Sequence, residues 1–115
     1  MRTILTASLM TLTLSGTVLS GPYDGLYFTG NSSCDPDMVQ MDGGPHKIED
    51  DVFWGTEMGC ALKNPVNVRG MNATLYDGEC GGEGEEWERR YLIVESEVGI
   101  YWIEDGYVME LIRCS

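Results

Sequence analysis

Four cysteines carry the clearest chemical signal in this chain of 115 residues: Cys34, Cys60, Cys80 and Cys114. Their number is even, and no two of them have the Cys-x-x-Cys spacing that is typical of a zinc site. We therefore predict two disulfides and no metal centre. A set of four cysteines allows three pairings. We prefer Cys34–Cys60 with Cys80–Cys114, because each bridge then closes one half of the chain.

Residues 1–20 have the pattern of a secretory signal peptide. One positive charge, Arg2, precedes an uncharged apolar stretch over residues 4–19, and small residues precede Gly21. This stretch of about 16 residues is shorter than the roughly 20 that a membrane-spanning helix needs. We expect cleavage before Gly21, no membrane span, and a single disulfide-stapled β domain over residues 21–115, either periplasmic or secreted.

Acidic side chains far outnumber basic ones. The chain holds 19 Asp and Glu against 7 Lys and Arg, a formal net charge of −12, and loss of Arg2 with the leader makes this −13. Nucleic acid is excluded as a partner, because binding it requires Lys and Arg to neutralise phosphates. A cationic protein is a candidate partner, since opposite charge steers association. The alternative is that the acids only keep an exported protein soluble.

The carboxyl-terminal segment predicts a β-hairpin. Asp105-Gly106 favours a two-residue turn between strands over residues 99–104 and 107–112. Pairing across this turn places Trp102 opposite Met109. It also places Ile100 opposite Leu111, two residues further from the turn. The side chains predicted to share the core face are Val98, Ile100, Trp102, Tyr107, Met109 and Leu111.

Turn signals recur about every 8 to 12 residues, which is typical of antiparallel all-β proteins. The upstream strands are predicted at residues 23–29, 47–54, 56–63, 67–76 and 87–95. Pro65 predicts a turn over residues 64–67, and the glycine-rich segment 81–84 predicts a flexible connector. The predicted fold is a small antiparallel meander of about seven strands, either an up-and-down barrel or a compact sandwich.

No metal, cofactor or catalytic group is expected. The acidic segment 79–86 lacks the alternating Asp and Asn ligands of a calcium loop. Met38, Met41 and His46 are soft ligands suited to copper, but they are too few. His46 is the only histidine, no serine lies in a Gly-x-Ser-x-Gly elbow, and the cysteines are expected to be oxidised. We therefore expect a protein that is not an enzyme.

Two functional hypotheses follow from these features. The first is a non-enzymatic binding or structural module of the periplasm or cell envelope. The second is an inhibitor of a secreted cationic hydrolase such as lysozyme, since small periplasmic lysozyme inhibitors share export, a disulfide, a β-rich fold and an acidic surface. Aromatic side chains are common anchors of interfaces. The predicted partner-binding residues combine aromatics with acids: Trp54, Glu83, Glu85, Trp87 and Tyr101.

Overall fold

The first and last strands of the sheet pair with each other, and this closes the sheet into an antiparallel barrel. The computed structural model describes residues 21–115, so the predicted signal peptide lies outside the described residues. Each strand pairs with the next one along the chain, and β8 pairs back with β1 through two residue pairs. The strands are β1 (Gly25–Phe28), β2 (His46–Glu49), β3 (Val52–Gly55), β4 (Met58–Asn67), β5 (Ala73–Gly82), β6 (Glu85–Glu95), β7 (Gly99–Glu104) and β8 (Tyr107–Arg113).

This architecture confirms the predicted all-β antiparallel meander and selects the up-and-down barrel over the sandwich. The described residues form eight strands where about seven were predicted. The difference lies in residues 47–54, which form two strands, β2 and β3, rather than one. Asp50 and Asp51 join them in a tight turn in which both residues have left-handed φ angles, 56° and 61°. Asp tolerates this conformation better than most residues, so the turn fits the sequence.

The predicted register of the β7–β8 hairpin is confirmed, with Trp102 opposite Met109 and Ile100 opposite Leu111. Ile100, Trp102 and Leu111 are buried. Two members of the predicted core face are exposed instead, Val98 at 50% and Tyr107 at 54%. Val98 lies in the bend that precedes β7, and Tyr107 is the first residue of β8, so both lie beyond the edge of the core.

The boundary between β4 and β5 differs from the prediction. Residues 64–67 do not turn; they continue β4 through an irregularity between Lys63 and Val66, at which Asn64 adopts a left-handed φ of 54°. Proline is tolerated at such a bulge. The glycine-rich segment 81–84 is also more ordered than predicted, because Gly81 and Gly82 belong to β5 and only two residues form the turn into β6.

The disulfides are Cys34–Cys114 and Cys60–Cys80, so the predicted pairing is wrong. The closed barrel explains the observed pairs. Cys60 on β4 lies directly opposite Cys80 on β5, with their Cα atoms 3.9 Å apart. Cys114 follows β8, which pairs with β1, and Cys34 lies in the loop that follows β1. Two complete bridges indicate an oxidising environment outside the cytosol.

Aromatic side chains fill the interior of the barrel. The rings of His46 and Phe53 stack with centroids 5.5 Å apart, Phe53 and Trp102 stack at 4.0 Å, and Trp102 lies against Tyr91 at 4.4 Å. Such contacts add to the stabilisation that burial of large rings already provides. Because the interior is packed, the features that suit recognition lie on the outer surface and at the rim.

Candidate functional site

Two open depressions lie on either side of Trp87, at the end of the barrel that carries the β3–β4 and β5–β6 turns. The first has a volume of about 540 Å³ and the second about 260 Å³. Both are lined by glutamates. We call this surface the acidic face and define it by two tryptophans and six glutamates: Trp54, Trp87, Glu57, Glu79, Glu83, Glu85, Glu86 and Glu88.

A row of four outward-facing residues crosses the acidic face from β3 to β6. The strand register pairs Trp54 with Gly59, Gly59 with Gly81, and Gly81 with Glu86. The Trp54 ring lies on Gly59, where an added Cβ would meet the indole at 2.7 Å. Gly81 is open, because a Cβ there would meet nothing closer than 3.6 Å. Gly81 therefore leaves a groove with backbone as its floor, between the indole that covers Gly59 on one side and the Glu86 carboxylate on the other.

An indole beside a carboxylate is a favourable setting for a cation. Tryptophan is the aromatic side chain that attracts cations most strongly through its ring face. A carboxylate accepts charge-assisted hydrogen bonds from guanidinium or ammonium groups. The groove above Gly81 therefore has the chemistry to accept an arginine or lysine side chain of another protein.

The acidic face holds excess negative charge. Lys63 pairs with Glu79 at 3.4 Å, but within residues 21–115 the other five glutamates of this face form no ion pair. Glu57 in the β3–β4 turn lies beside Glu83 in the β5–β6 turn. A hydrogen bond between the two carboxyl groups and the negative charge of Glu83 raise the pKa of Glu57. An incoming cation would relieve this repulsion.

Trp87 packs against the buried core at this end of the barrel. It lies opposite Cys80 and contacts the core cluster that contains Cys60, Cys80 and Tyr91. Burial raises the pKa of the Tyr91 hydroxyl. The Tyr91 hydroxyl lies 3.4 Å from Cys80 Sγ and 3.8 Å from Cys60 Sγ. Since a disulfide sulfur carries no hydrogen, the hydroxyl is the donor. The Cys60–Cys80 disulfide and Tyr91 are therefore part of the core on which Trp87 packs.

Outside the acidic face, His46 has an environment that should make the stability of the protein depend on pH near neutrality. It lies at the start of β2, its Nδ1 atom is buried, and within residues 21–115 this atom has no hydrogen-bond partner. Burial lowers the pKa of His46, because protonation would place an unpaired N–H and a charge out of water.

We expect stability to fall when the pH is lowered below the usual pKa of histidine, about 6.5. Below that pH the unfolded chain takes up a proton at His46 that the folded chain does not. The folded state therefore keeps its full stability with respect to His46 above that pH and loses stability as the pH falls. Urea unfolding at about pH 7.5 and about pH 5.5 measures this difference. A His46→Phe variant keeps a ring against Phe53 and should show a smaller dependence; an unchanged pH dependence would contradict the prediction.

The structure brings four of the five predicted partner-binding residues together. Trp54, Glu83, Glu85 and Trp87 all lie on the acidic face, and Tyr101 lies apart from it on the outer surface of β7. The predicted set lacked the other four glutamates of the acidic face and the paired glycines: Glu57, Glu79, Glu86, Glu88, Gly59 and Gly81. The sequence did contain a signal for the two glycines, because a glycine inside a strand often marks a place where another group approaches the backbone closely.

Fold and site together define a class: a small, disulfide-bonded antiparallel barrel with an acidic, tryptophan-containing face at one end. Comparison of the chain with known protein families, with curated proteins and with solved structures finds no match. Among residues 21–115, no helix has the length and apolar character needed to cross a membrane. No group of three or more His, Cys, Asp or Glu side chains in this part of the chain is arranged to hold a metal ion.

Proposed function

We propose that the protein is an exported, non-enzymatic binding module, periplasmic or secreted, that recognises a cationic protein through the acidic face. The observation that carries this proposal is the groove above Gly81, with the Trp54 indole on one side and Glu86 on the other. The surrounding glutamates without ion pairs supply long-range attraction, which accelerates association with a basic partner. Long-range attraction does not fix where the partner binds; the groove provides a specific place for one of its cationic side chains.

The charge of the acidic face is tested with a Glu86→Gln, Glu88→Gln double variant and two basic proteins as probes, lysozyme and cytochrome c. We expect the unaltered protein to bind a basic probe with an affinity that falls steeply with salt. The double variant should bind about tenfold more weakly, because it removes two carboxylates from the site of contact. Calorimetric titration at low and high salt measures both effects.

The matched control is Asp50→Asn, Asp51→Asn. It removes the same amount of charge from the β2–β3 turn, at the opposite end of the barrel, and Asn tolerates the left-handed φ of both positions. Binding should change less than about twofold in this control. An equal loss in both double variants would show that net charge alone attracts the probe, and the proposed site would be wrong.

A second variant, Gly81→Leu, tests the groove without changing the charge. The side chain would fill the open space above Gly81, where an added Cβ meets nothing closer than 3.6 Å. We expect weaker binding with an unchanged unfolding midpoint. Unchanged binding would place the contact elsewhere on the acidic face.

The inhibitor hypothesis has one observation in its favour. In the described residues, residues 85–91 of β6 pair with β5 but not with β7. The turn end of the β5–β6 hairpin therefore extends beyond strand β7. Its turn, Glu83-Gly84, is exposed and acidic, and a projecting hairpin can enter the active-site cleft of a basic hydrolase. Loss of lysozyme activity on binding favours inhibition; binding that leaves the activity unchanged favours the module.

A further inference from the structure

Strand β6 has a free edge near its first turn. Residues 85–90 pair with β5 on one side, whereas pairing with β7 on the other side begins only at Leu92, which lies opposite Ile103. Within residues 21–115 no other strand pairs with this part of β6. All six residues are exposed except Trp87, which is half-buried. We call residues 85–90 the free edge, because its unpaired backbone groups are open to an added strand.

The strand register identifies which backbone groups point outward from the free edge. The Glu95 amide donates to the carbonyl of Asn72, which precedes β5, at 2.9 Å. Backbone groups alternate in direction along an antiparallel strand, and the register between β5 and β6 is uninterrupted. The odd-numbered residues of β6 therefore bond to β5. The N–H and C=O groups of Glu86, Glu88 and Arg90 point the other way, out of the free edge.

The free edge carries uncompensated negative charge. Both of its arginines are already held by acids, Arg89 by Glu104 and Arg90 by Asp77, each at 3.3 Å. Four acids on the edge or in the adjoining β7–β8 turn form no ion pair within the described part of the chain: Glu85, Glu86, Glu88 and Asp105. Because cross-strand pairs of opposite charge are favourable and like pairs are not, a cationic strand is attracted here and an acidic strand is repelled.

We propose that an extended segment of the cationic partner adds to the free edge as a further strand of the sheet. This inference rests on the proposed function and specifies how the partner is bound. The backbone of the segment pairs with Glu86 and Glu88, and the side chains opposite these two glutamates are lysine or arginine. Strand addition takes its affinity from the backbone and its specificity from alternate side chains.

A second copy of this chain fits the free edge less well. Two copies that pair along most of the edge about a two-fold axis bring glutamates together, either Glu86 with Glu88 or Glu88 with Glu88. Like charges directly opposite each other are destabilising, and charged side chains on an edge strand are a common protection against self-pairing. The same glutamates leave the edge open to a strand of opposite charge.

Binding of an alternating peptide to the oxidised protein tests strand addition. The probe has about seven residues, lysine and valine in turn, enough to reach along the free edge. One modified peptide carries N-methyl groups on the lysine amides and another carries them on the valine amides, so charge is the same throughout. Because only one edge of an added strand bonds to β6, one modified peptide should bind at least about tenfold more weakly than the other. Calorimetric titration measures the affinities.

A proline variant tests the same backbone contact from the side of the protein. Glu88→Pro removes an N–H that points away from β5, a position at which an edge strand tolerates proline. Its matched control, Glu88→Gln, removes the same charge and keeps the N–H. We expect Glu88→Pro to bind the unmodified peptide about fivefold more weakly than Glu88→Gln. Circular dichroism establishes that each variant is folded, and Glu86→Pro with Glu86→Gln replaces the pair if Glu88→Pro does not fold.

The outcomes separate strand addition from the proposed function. Equal affinity of the two methylated peptides, or equal affinity of the proline and glutamine variants, would overturn strand addition. Failure of the peptide to bind where lysozyme or cytochrome c binds would also overturn it and leave the acidic face as the site. Loss of all three probes would overturn both proposals. Self-association of the protein that is abolished in Glu88→Pro but not in Glu88→Gln would assign the edge to a second copy and overturn the inference.

Discussion

Replacing Cys34 and Cys114 by serine is expected to lower the free energy of unfolding by about 4.5 kcal/mol, the entropic contribution of a bridge between residues 80 apart. Small domains have total stabilities of about 5–15 kcal/mol, so the variant should lose about a third or more of its free energy of unfolding. Cys34 is exposed and Cys114 half-buried, so serine loses little packing and the change reports loop closure. Denaturant unfolding of the oxidised protein and the variant measures it.

The Cys60–Cys80 bridge provides the comparison. It joins residues only 20 apart, and loop closure predicts a smaller contribution, about 3.3 kcal/mol. Its sulfurs are buried, however, so Cys60→Ala, Cys80→Ala also loses packing and the hydrogen bonds from Tyr91. An unfolding midpoint that does not move when Cys34 and Cys114 are replaced would contradict the account of the barrel as covalently closed.

Trp102→Ala is expected to cost about 3–5 kcal/mol, the range for removing a large aromatic from a packed core. Trp102 is 3% exposed and contacts Phe53 and Tyr91 on its two sides, with ring centroids at 4.0 and 4.4 Å. Its removal leaves a cavity between them that neighbouring side chains fill only in part. Thermal and denaturant unfolding, with near-ultraviolet circular dichroism of the aromatic rings, measure the loss.

The adjacent residue serves as the matched control. Tyr101 is also a large aromatic on β7, but it points outward and is 37% exposed. Tyr101→Ala should cost less than about 1 kcal/mol. A loss as large as that of Trp102→Ala would mean that the two faces of β7 are assigned the wrong way round.

The β7–β8 hairpin was predictable residue by residue because its determinants are local. Asp105-Gly106 specifies a tight turn, and alternation on either side then fixes which side chains face the core. The same reasoning failed at Pro65, where the tertiary structure extends β4 through a bulge at Asn64 in place of the predicted turn. A propensity for turns cannot by itself distinguish a turn from a bulge.

The disulfide pairing was beyond reach of the sequence because it depends on closure of the barrel. Cys34 and Cys114 approach each other only when β8 pairs with β1, and no local signal encodes that pairing. The rule that each bridge closes one half of the chain assumed two separate halves, which a closed barrel does not have.

Only the part of the candidate site that is local in sequence was predicted. Glu83, Glu85 and Trp87 are close in sequence, so their proximity in the fold follows from the hairpin turn. Glu57 and the groove of Gly59 and Gly81 depend on the register of three strands. Tyr101 lies on the outer surface of β7, away from these three strands, and its separation from the acids likewise depends on strand register.

The order in which the cysteines appear has a consequence for biogenesis. A chain that emerges amino end first offers Cys34 and Cys60 as thiols before either native partner, Cys80 or Cys114, has arrived. A bridge that joins these two thiols at that stage is non-native, and only thiol–disulfide exchange can then give the native pairs. Cys80 can then join Cys60 within a single hairpin, whereas Cys34 waits until the last strand has emerged. A chain that forms the Cys34–Cys60 bridge first therefore needs reshuffling as well as oxidation, the task of a disulfide isomerase.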